Sequence, residues 1–175
     1  NRLLSALTDV VLSLDGTIDK YMGDCVMAFW GAPVDCDDHE ERAVTCAGLM
    51  LVALEKLNKE IEAEGLPKLG IGIGVNTGPC VIGNVGGDKR FDYSAIGDSV
   101  NVAARLESST RKYEQDVLIG EITAKAVDPH LVQPLDSIEV KGKSERLNVY
   151  TLSADAIRAA HLADYWMSER KQIKG

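Results

Sequence analysis

The chain has 175 residues, of which 45% are hydrophobic and 26% are charged, and its formal net charge at pH 7 is −8. This length and composition predict a globular domain that is large enough to bury its own core, and they argue against a disordered chain. The excess of negative charge argues against a binding surface for nucleic acid or for anionic lipid, because both would repel it.

The sequence predicts no membrane-spanning segment, disulfide bond or zinc site. Its apolar runs are too short to span a bilayer, and residues 1–15 have a helical pattern rather than that of a signal peptide. We therefore expect a cytoplasmic domain without direct membrane contact, whether or not a longer parent chain is attached to a membrane. The four cysteines have no CxxC spacing, so we expect reduced core cysteines rather than a zinc site or disulfides.

The first predicted elements are a helix over residues 1–15, which Gly16 ends, and a β-hairpin over residues 17–30. Gly23 and Asp24 form the turn signal of the hairpin. A carboxylate at the tip would be held by two strands and open to solvent, which suits a hard cation such as Mg²⁺. An isolated Gly-Asp pair is otherwise typical of a plain turn.

A second, longer helix is predicted from Asp37 to the stop signal at Gly65, with Asp37 and Glu40 as a capping box. Residues 69–77 then alternate glycine with larger residues, which predicts a strand with one bare face that a helix or second chain can approach closely. The segment does not match a dinucleotide fingerprint, because Val75 occupies a position where that motif requires glycine.

The third helix carries a polar pair. We predict a strand at 80–82, a mobile tip at 83–88, a strand at 91–96 and a helix capped by Asp98 or Ser99, with Ala104 among its inward residues. Asn101 and Arg105 are four residues apart and therefore share one face near the start of this helix. Such a pair suits a phosphate ester, although a solvated surface is the plainer interpretation.

The last part of the chain is predicted to contain a strand at 116–119, a short helix at 121–127 and two strands at 132–140 and 147–152. Residues 141–146, beginning with Lys141, are the one dense cluster of positive charge, and a solvated turn is their plainer interpretation. Residues 154–175 predict an amphipathic tail helix in which Trp166 docks on the domain or on a neighbour.

With these residues in view, the chain from about residue 2 to residue 152 resembles the catalytic domain of the class III adenylate/guanylate cyclases. The similarity rests on five motifs in order, at 20–33 (KYMGDCVMAFWGAP), 72–78 (GIGVNTG), 81–86 (VIGNVG), 93–107 (YSAIGDSVNVAARLE) and 140–142 (VKG). It implies an α/β fold of the α+β type, with a ferredoxin-like βαββαβ core, an antiparallel-rich sheet and flanking helices. It also implies a catalytic domain at 1–152, a tail helix at 153–175 and a head-to-tail homodimer.

The resemblance also implies a role for each matched residue in converting ATP to 3′,5′-cyclic AMP and pyrophosphate. The ribose 3′-hydroxyl attacks the α-phosphate with the help of two metal ions, Mg²⁺ or Mn²⁺, in each complete site. By this resemblance Asp24 is a metal ligand, Lys20 recognises adenine, Asn101 orients the ribose, Arg105 neutralises the α-phosphate in the transition state, and Lys141 anchors the triphosphate. In such a dimer Asp24 serves one cleft and the other four residues serve the second.

The choice of base depends on Lys20 and Ser94. Many adenylate cyclases of this class have Asp where this chain has Ser94, and a subset, bacterial and soluble-type, has Thr, whose hydroxyl role Ser can fill. Guanylate cyclases usually carry Glu at the position of Lys20, because guanine offers N–H donors where adenine offers an acceptor. ATP is therefore the expected substrate, with a guanylate cyclase as one alternative and a non-catalytic nucleotide-binding or dimerisation module as another.

One ligand of the family's metal pair has no counterpart in this sequence. In the family the first metal aspartate precedes the first long helix, and this chain begins inside that helix. We therefore expect the 175-residue chain on its own to have little or no activity, even if its parent is a cyclase.

Overall fold

The computed structural model describes residues 2–87, 92–139 and 146–174, which form helices packed on antiparallel-rich sheets. The helices are α1 (Arg2–Ser13), α2 (His39–Ala63), α3 (Asp98–Ser109), α4 (Glu121–Ala126) and α5 (Ala154–Lys174). The strands are β1 (Thr17–Met22), β2 (Cys25–Phe29), β3 (Ile73–Val75), β4 (Val81–Val85), β5 (Asp92–Ile96), β6 (Val117–Gly120), β7 (Val132–Glu139) and β8 (Arg146–Leu152). The predicted α+β class is confirmed. Lys141, and the positive cluster apart from Arg146, lie outside the described residues.

The core is built around a four-stranded sheet in the order β3-β6-β8-β7, in which β3 and β6 are parallel and the other pairs antiparallel. All four residues of β6 are buried. Because strand side chains alternate between faces, Val117 and Ile119 pack with α2, α4 and α5, while Leu118 packs on the other face with Leu106 of α3. The sheet is therefore covered on both faces.

The glycines of β3 let α3 approach the sheet at backbone distance. A Cβ atom on Gly74 would overlap the carbonyl oxygen of Ala103 and lie 2.5 Å from the backbone nitrogen of Glu107. The bare face predicted for this segment is therefore confirmed, and α3 is what covers it. The strand itself is shorter than predicted, since only Ile73–Val75 pairs with β6.

Two hairpins lie outside the four-stranded sheet, β1–β2 and β4–β5, each a separate two-stranded sheet among the described residues. The first packs beneath α1 and α2, whose buried residues Leu7, Val11, Cys46 and Met50 form one cluster with it. The indole N–H of Trp30 donates to the carbonyl oxygen of Leu14 at 3.0 Å, which ties the end of β2 to the end of α1. The hairpin predicted at residues 17–30 is confirmed.

Helix α5 packs along α2. Ala156 and Ala160 of α5 are buried, and a Cβ atom added to Gly48 of α2 would lie 3.1 Å from the Cβ of Ala160. Trp166, further along α5, is 57% exposed and meets Tyr165 edge-on. The boundary between residues 1–152 and 153–175 stays a prediction. Within the described ranges, no helix has both the length and the apolar character needed to cross a bilayer.

Four further local predictions were wrong. Residues 83–85 belong to β4 rather than to a mobile tip, because pairing with β5 outweighs the weak strand preference of Gly83. Neither Asp98 nor Ser99 is the N-cap of α3: Gly97 occupies that position, and no side chain caps the helix. Ala104 is exposed because α3 turns Ala103 and Glu107 toward β3 instead. Helix α2 begins at His39 after Asp38, again without a side-chain cap, so the predicted capping box is absent.

The four cysteines form no disulfide bond, as expected, but not all of them lie in the core. All four cysteines are free. Cys46 is buried, and its burial raises the pKa of the thiol to about 12, as the apolar surroundings disfavour the thiolate. Cys80, in the segment before β4, is exposed and is therefore not a core residue.

Candidate active site

The tip of the β1–β2 hairpin presents Asp24 to solvent. Gly23 has a φ of +60°, the left-handed conformation that glycine adopts without strain, and Asp24 follows it as an exposed residue. Both flanking strands are hydrogen-bonded up to the turn, with Met22 opposite Cys25. The predicted geometry of a carboxylate on a rigid, open tip is confirmed, while its role as a metal ligand stays a prediction.

A β-bulge interrupts the same hairpin at Asp19. Ile18 pairs with Ala28 and Lys20 pairs with Met27, so Asp19 is an extra residue without a partner in β2. A bulge of this kind redirects one side chain away from regular alternation. As a result the Asp19 side chain is fully enclosed, at 0% exposure, while the adjacent Lys20 side chain is 48% exposed.

The enclosed carboxylate of Asp19 links Lys20 with Ser94. The hydroxyl of Ser94 donates to Asp19, with its Oγ 2.9 Å from Oδ1 and 3.2 Å from Oδ2. The backbone N–H of Ala95 donates to Oδ2 at 2.8 Å. The ammonium of Lys20 lies 3.6 Å from Oδ1. The two residues predicted to recognise the base come from different hairpins and meet at one carboxylate oxygen.

The polar pair of α3 lies on the exposed side of that helix. Asn101 and Arg105 are both exposed and one turn apart, as predicted. The start of the helix is fixed from outside, because the side-chain amide of Asn76 donates to the carbonyl oxygen of Ser99 at 2.9 Å. Close packing on Gly74 fixes the following turns. The pair is therefore carried by a helix whose backbone is held at two places.

Cys25, directly after Asp24 in the hairpin, carries a thiol whose pKa is raised. Burial raises the pKa of the Cys25 thiol, and the negative charges of Glu107 and Asp24 raise it further. Across residues 2–87, 92–139 and 146–174, however, no hydrogen bond or ion pair joins Asp24 to Asn101 or Arg105. One copy of the chain thus brings Lys20 and Ser94 together, but not the whole predicted set.

Asp24 suits a divalent cation in chemistry and exposure, since Mg²⁺ and Mn²⁺ favour carboxylate oxygens. It is a single carboxylate, however. Among the residues that the structure describes, no group of three or more His, Cys, Asp or Glu side chains is arranged to hold a metal ion. Within the described part of one copy, Asp24 therefore offers at most a single carboxylate to such a cation.

The sequence alone did not identify Asp19. Regular alternation places residue 19 on the face opposite Ile18 and Lys20, and nothing in the sequence marks the bulge that turns its side chain inward. The available signal was chemical: an acidic residue directly beside a lysine, inside a strand, requires a partner if it is buried. Ser94 is that partner, 75 residues further along the chain.

Comparison with known proteins agrees with these motifs. A sequence model of the adenylate and guanylate cyclase catalytic domain matches residues 3–154. Adenylate cyclase 1 of Rhizobium meliloti (strain 1021) is 38% identical over 158 residues, and the adenylate cyclase of Anabaena cylindrica is 35% identical over 162. The matches cover 90% and 88% of this chain but only 24% and 31% of those proteins.

A solved structure gives the same match in three dimensions. The crystal structure of the guanylyl cyclase Cya2 superposes with a TM-score of 0.75 at 29% identity, covering 88% of this chain and 79% of that one. The chain thus spans about a quarter to a third of the length of the curated relatives, and most of the length of this structural neighbour.

Proposed function

Because this chain belongs to the family of adenylate and guanylate cyclase catalytic domains, we propose that it forms cyclic AMP and pyrophosphate from ATP. The observation that carries the choice of ATP is the meeting of Lys20 and Ser94 at one oxygen of Asp19. Two adenylate cyclases at 38% and 35% identity support the same choice. We place the reaction in the cytoplasm.

Base recognition is a matter of matching donors with acceptors. Adenine presents an acceptor at N1 beside a donor amino group at C6, whereas guanine presents an N–H donor beside a carbonyl acceptor. The ammonium of Lys20 only donates, which suits the adenine N1. The Ser94 oxygen is able to accept from the adjacent amino group. Both groups lie within 3.6 Å of one Asp19 oxygen, so they are near enough to contact neighbouring atoms of one base edge.

The reaction requires the ribose 3′-oxygen to attack the α-phosphate in line while pyrophosphate leaves. Asn101 would hold the ribose, and Arg105 would lie where negative charge develops on the α-phosphate, so its contribution is largest in the transition state. Lys141, outside the described residues, would bind the triphosphate. The fixed backbone of α3 supports this assignment, because positioning supplies much of the rate in phosphoryl transfer.

Asp24 would be a ligand of the divalent cations, Mg²⁺ or Mn²⁺, which when bound neutralise phosphate charge and favour ionisation of the 3′-hydroxyl. Since Asp24 is exposed and unlinked to Asn101 and Arg105 in one copy, a complete site would combine two copies head to tail. Exposed apolar residues on both hairpins support such a contact. They are Tyr21, Met22, Val81, Val85 and Ile96, each at least 44% exposed.

The experiment that tests this proposal measures product formation from ATP and from GTP, with Mg²⁺ or Mn²⁺, in the full-length protein. We expect cyclic AMP from the wild type and a strong preference for ATP. The double substitution Lys20→Glu with Ser94→Cys should shift the preference toward GTP by about tenfold or more, because it replaces the donor at the N1 position with an acceptor. Lys59→Glu, an exposed lysine of α2, is the matched control and should leave the preference unchanged.

The outcomes separate the alternatives. A wild type that prefers GTP would make the chain a guanylate cyclase, an alternative favoured by the superposition on the guanylyl cyclase Cya2. Binding of both nucleotides without product would support a non-catalytic module instead. Either result contradicts the proposal.

A further inference from the structure

We propose that Asp19 is a positioning residue that fixes the polarity of the Ser94 hydroxyl, so that the site selects purines with an amino group at C6. This inference rests on the proposed function, because it takes Ser94 to contact the base. It adds a determinant of specificity that makes no contact with the nucleotide itself.

The geometry leaves the Ser94 hydroxyl a single orientation. A hydroxyl has one proton to donate and two lone pairs that accept. Its Oγ lies 2.9 Å and 3.2 Å from the two oxygens of Asp19, and a carboxylate only accepts, so the proton of Ser94 points at Asp19. What remains for a ligand is acceptor capacity alone.

Asp19 is itself prevented from turning away. One oxygen accepts from the backbone N–H of Ala95 at 2.8 Å, and the other faces both Ser94 and the ammonium of Lys20. The side chain is fully enclosed, and Ser94 is 4% exposed. An enclosed carboxylate with three polar partners around it is held in place, because turning away would leave a buried charge with fewer hydrogen bonds.

This arrangement gives the site a fixed donor and a fixed acceptor side by side. Lys20 donates and Ser94 accepts, which matches the N1 and amino group of adenine. Guanine would place its carbonyl oxygen against the lone pairs of Ser94 and its N–H against the ammonium of Lys20. A serine free to rotate would instead donate to that carbonyl, so the discrimination depends on Asp19.

Asp19→Asn tests the inference because it reverses the polarity at nearly constant volume. The N–H of Ala95 requires an acceptor, so the amide oxygen of Asn would take that place and its NH₂ group would face Ser94. Ser94 would then accept from Asn and turn its proton toward the base. We expect the ratio of kcat/KM for ATP to that for GTP to fall by about tenfold or more.

Two further variants isolate the path through Ser94. In a Ser94→Ala background, Asp19→Asn should change the ratio by less than about twofold, because the hydroxyl it acts upon is gone. Thr123→Val removes a different buried hydrogen bond, that with Thr77, and should lower stability without changing the ratio. A purely structural role of Asp19 would move the unfolding midpoint and leave the ratio unchanged.

The outcomes distinguish this inference from the proposed function. If the wild type prefers ATP and Asp19→Asn keeps that ratio, the inference is overturned and the proposed function stands. If the wild type converts neither nucleotide, the proposed function fails. In that case the ratio of the dissociation constants of the α,β-methylene analogues of ATP and GTP, in wild type and in Asp19→Asn, tests the inference. If neither analogue binds, the inference is overturned.

A second substitution guards against loss of folding. If Asp19→Asn does not fold, Asp19→Ser should lower the ratio by about threefold, since it frees the Ser94 proton without adding a fixed donor. An unchanged ratio in that variant overturns the inference.

Discussion

The four-stranded sheet buries the apolar residues of its central strand, whereas each of the two hairpins leaves several apolar residues exposed. In the sheet, Val117, Leu118 and Ile119 of β6 are at most 1% exposed and are covered by helices on both faces. In the hairpins, Val81 is 75% exposed and Ile96 is 52% exposed. The apolar residues of the sheet are covered within one chain, whereas several apolar residues of the hairpins are exposed in a single copy.

The residues proposed to take part in the chemistry are distinct from those that stabilise the sheet. Asp24, Lys20 and Ser94 belong to the hairpins, and Asn101 and Arg105 lie on the outer side of α3. None of them belongs to the apolar clusters around the sheet. The site residues therefore contribute little apolar burial, and substitutions in the two regions should have separable effects on stability and turnover.

The largest expected effect on stability is from Leu118→Ala in the sheet. Leu118 is 0% exposed and packs against Leu106 and Val149, so truncation leaves a cavity that costs about 3 to 4 kcal/mol of unfolding free energy. Urea unfolding measures this change. Leu66→Ala, at a residue 53% exposed, is the matched control and should stay within about 0.5 kcal/mol. Equal losses in both variants would contradict the contrast.

Arg105→Ala should give the converse result. In the proposed mechanism the guanidinium stabilises charge in the transition state. We therefore expect its removal to raise the barrier to turnover by about 2 to 4 kcal/mol, with a smaller change in KM. The unfolding free energy should hardly change, because Arg105 is exposed. Arg111→Ala, another exposed arginine just beyond α3, is the control of equal charge and should change kcat less than twofold. An unchanged kcat in Arg105→Ala would remove this residue from the mechanism.

Much of the fold could be predicted because apolar periodicity and glycine positions are local signals. Helix α2, the hairpin turn at Gly23 and the bare face of β3 all follow from them. Strand pairing and the orientation of α3 were harder to predict. The sequence did not indicate that Gly83 continues into β4, nor that Ala104 faces solvent, because both depend on partners distant in the chain.

The candidate site divides in the same way. Motifs identified Lys20, Asp24, Ser94, Asn101 and Arg105, and local spacing placed the last two on one exposed helix face. The partnership of Ser94 with Asp19 needed the structure, since it depends on a bulge and on contact between hairpins 75 residues apart. Long-range polar contacts of this kind leave no periodic trace in a sequence.

Gly74→Ala affects both regions at once, because Gly74 of β3 lies directly against the backbone of α3. Its new Cβ would meet the backbone of α3 at Ala103 and Glu107, which has no flexible side chain to move aside. We expect about 1 to 3 kcal/mol of destabilisation, the usual cost of overpacking. We also expect lower turnover in the folded fraction, because the helix that carries Asn101 and Arg105 must shift.

Gly70→Ala is the matched control, because an added Cβ at Gly70 would lie in open space. It should leave both quantities nearly unchanged. Urea unfolding and kcat are measured on each variant. If Gly74→Ala lowers stability but leaves the kcat of the folded protein intact, the position of α3 does not control the chemistry, and the coupling between sheet and site is refuted. If the barrier to turnover rises by more than the free energy of unfolding falls, the active geometry tolerates less displacement of α3 than the fold does.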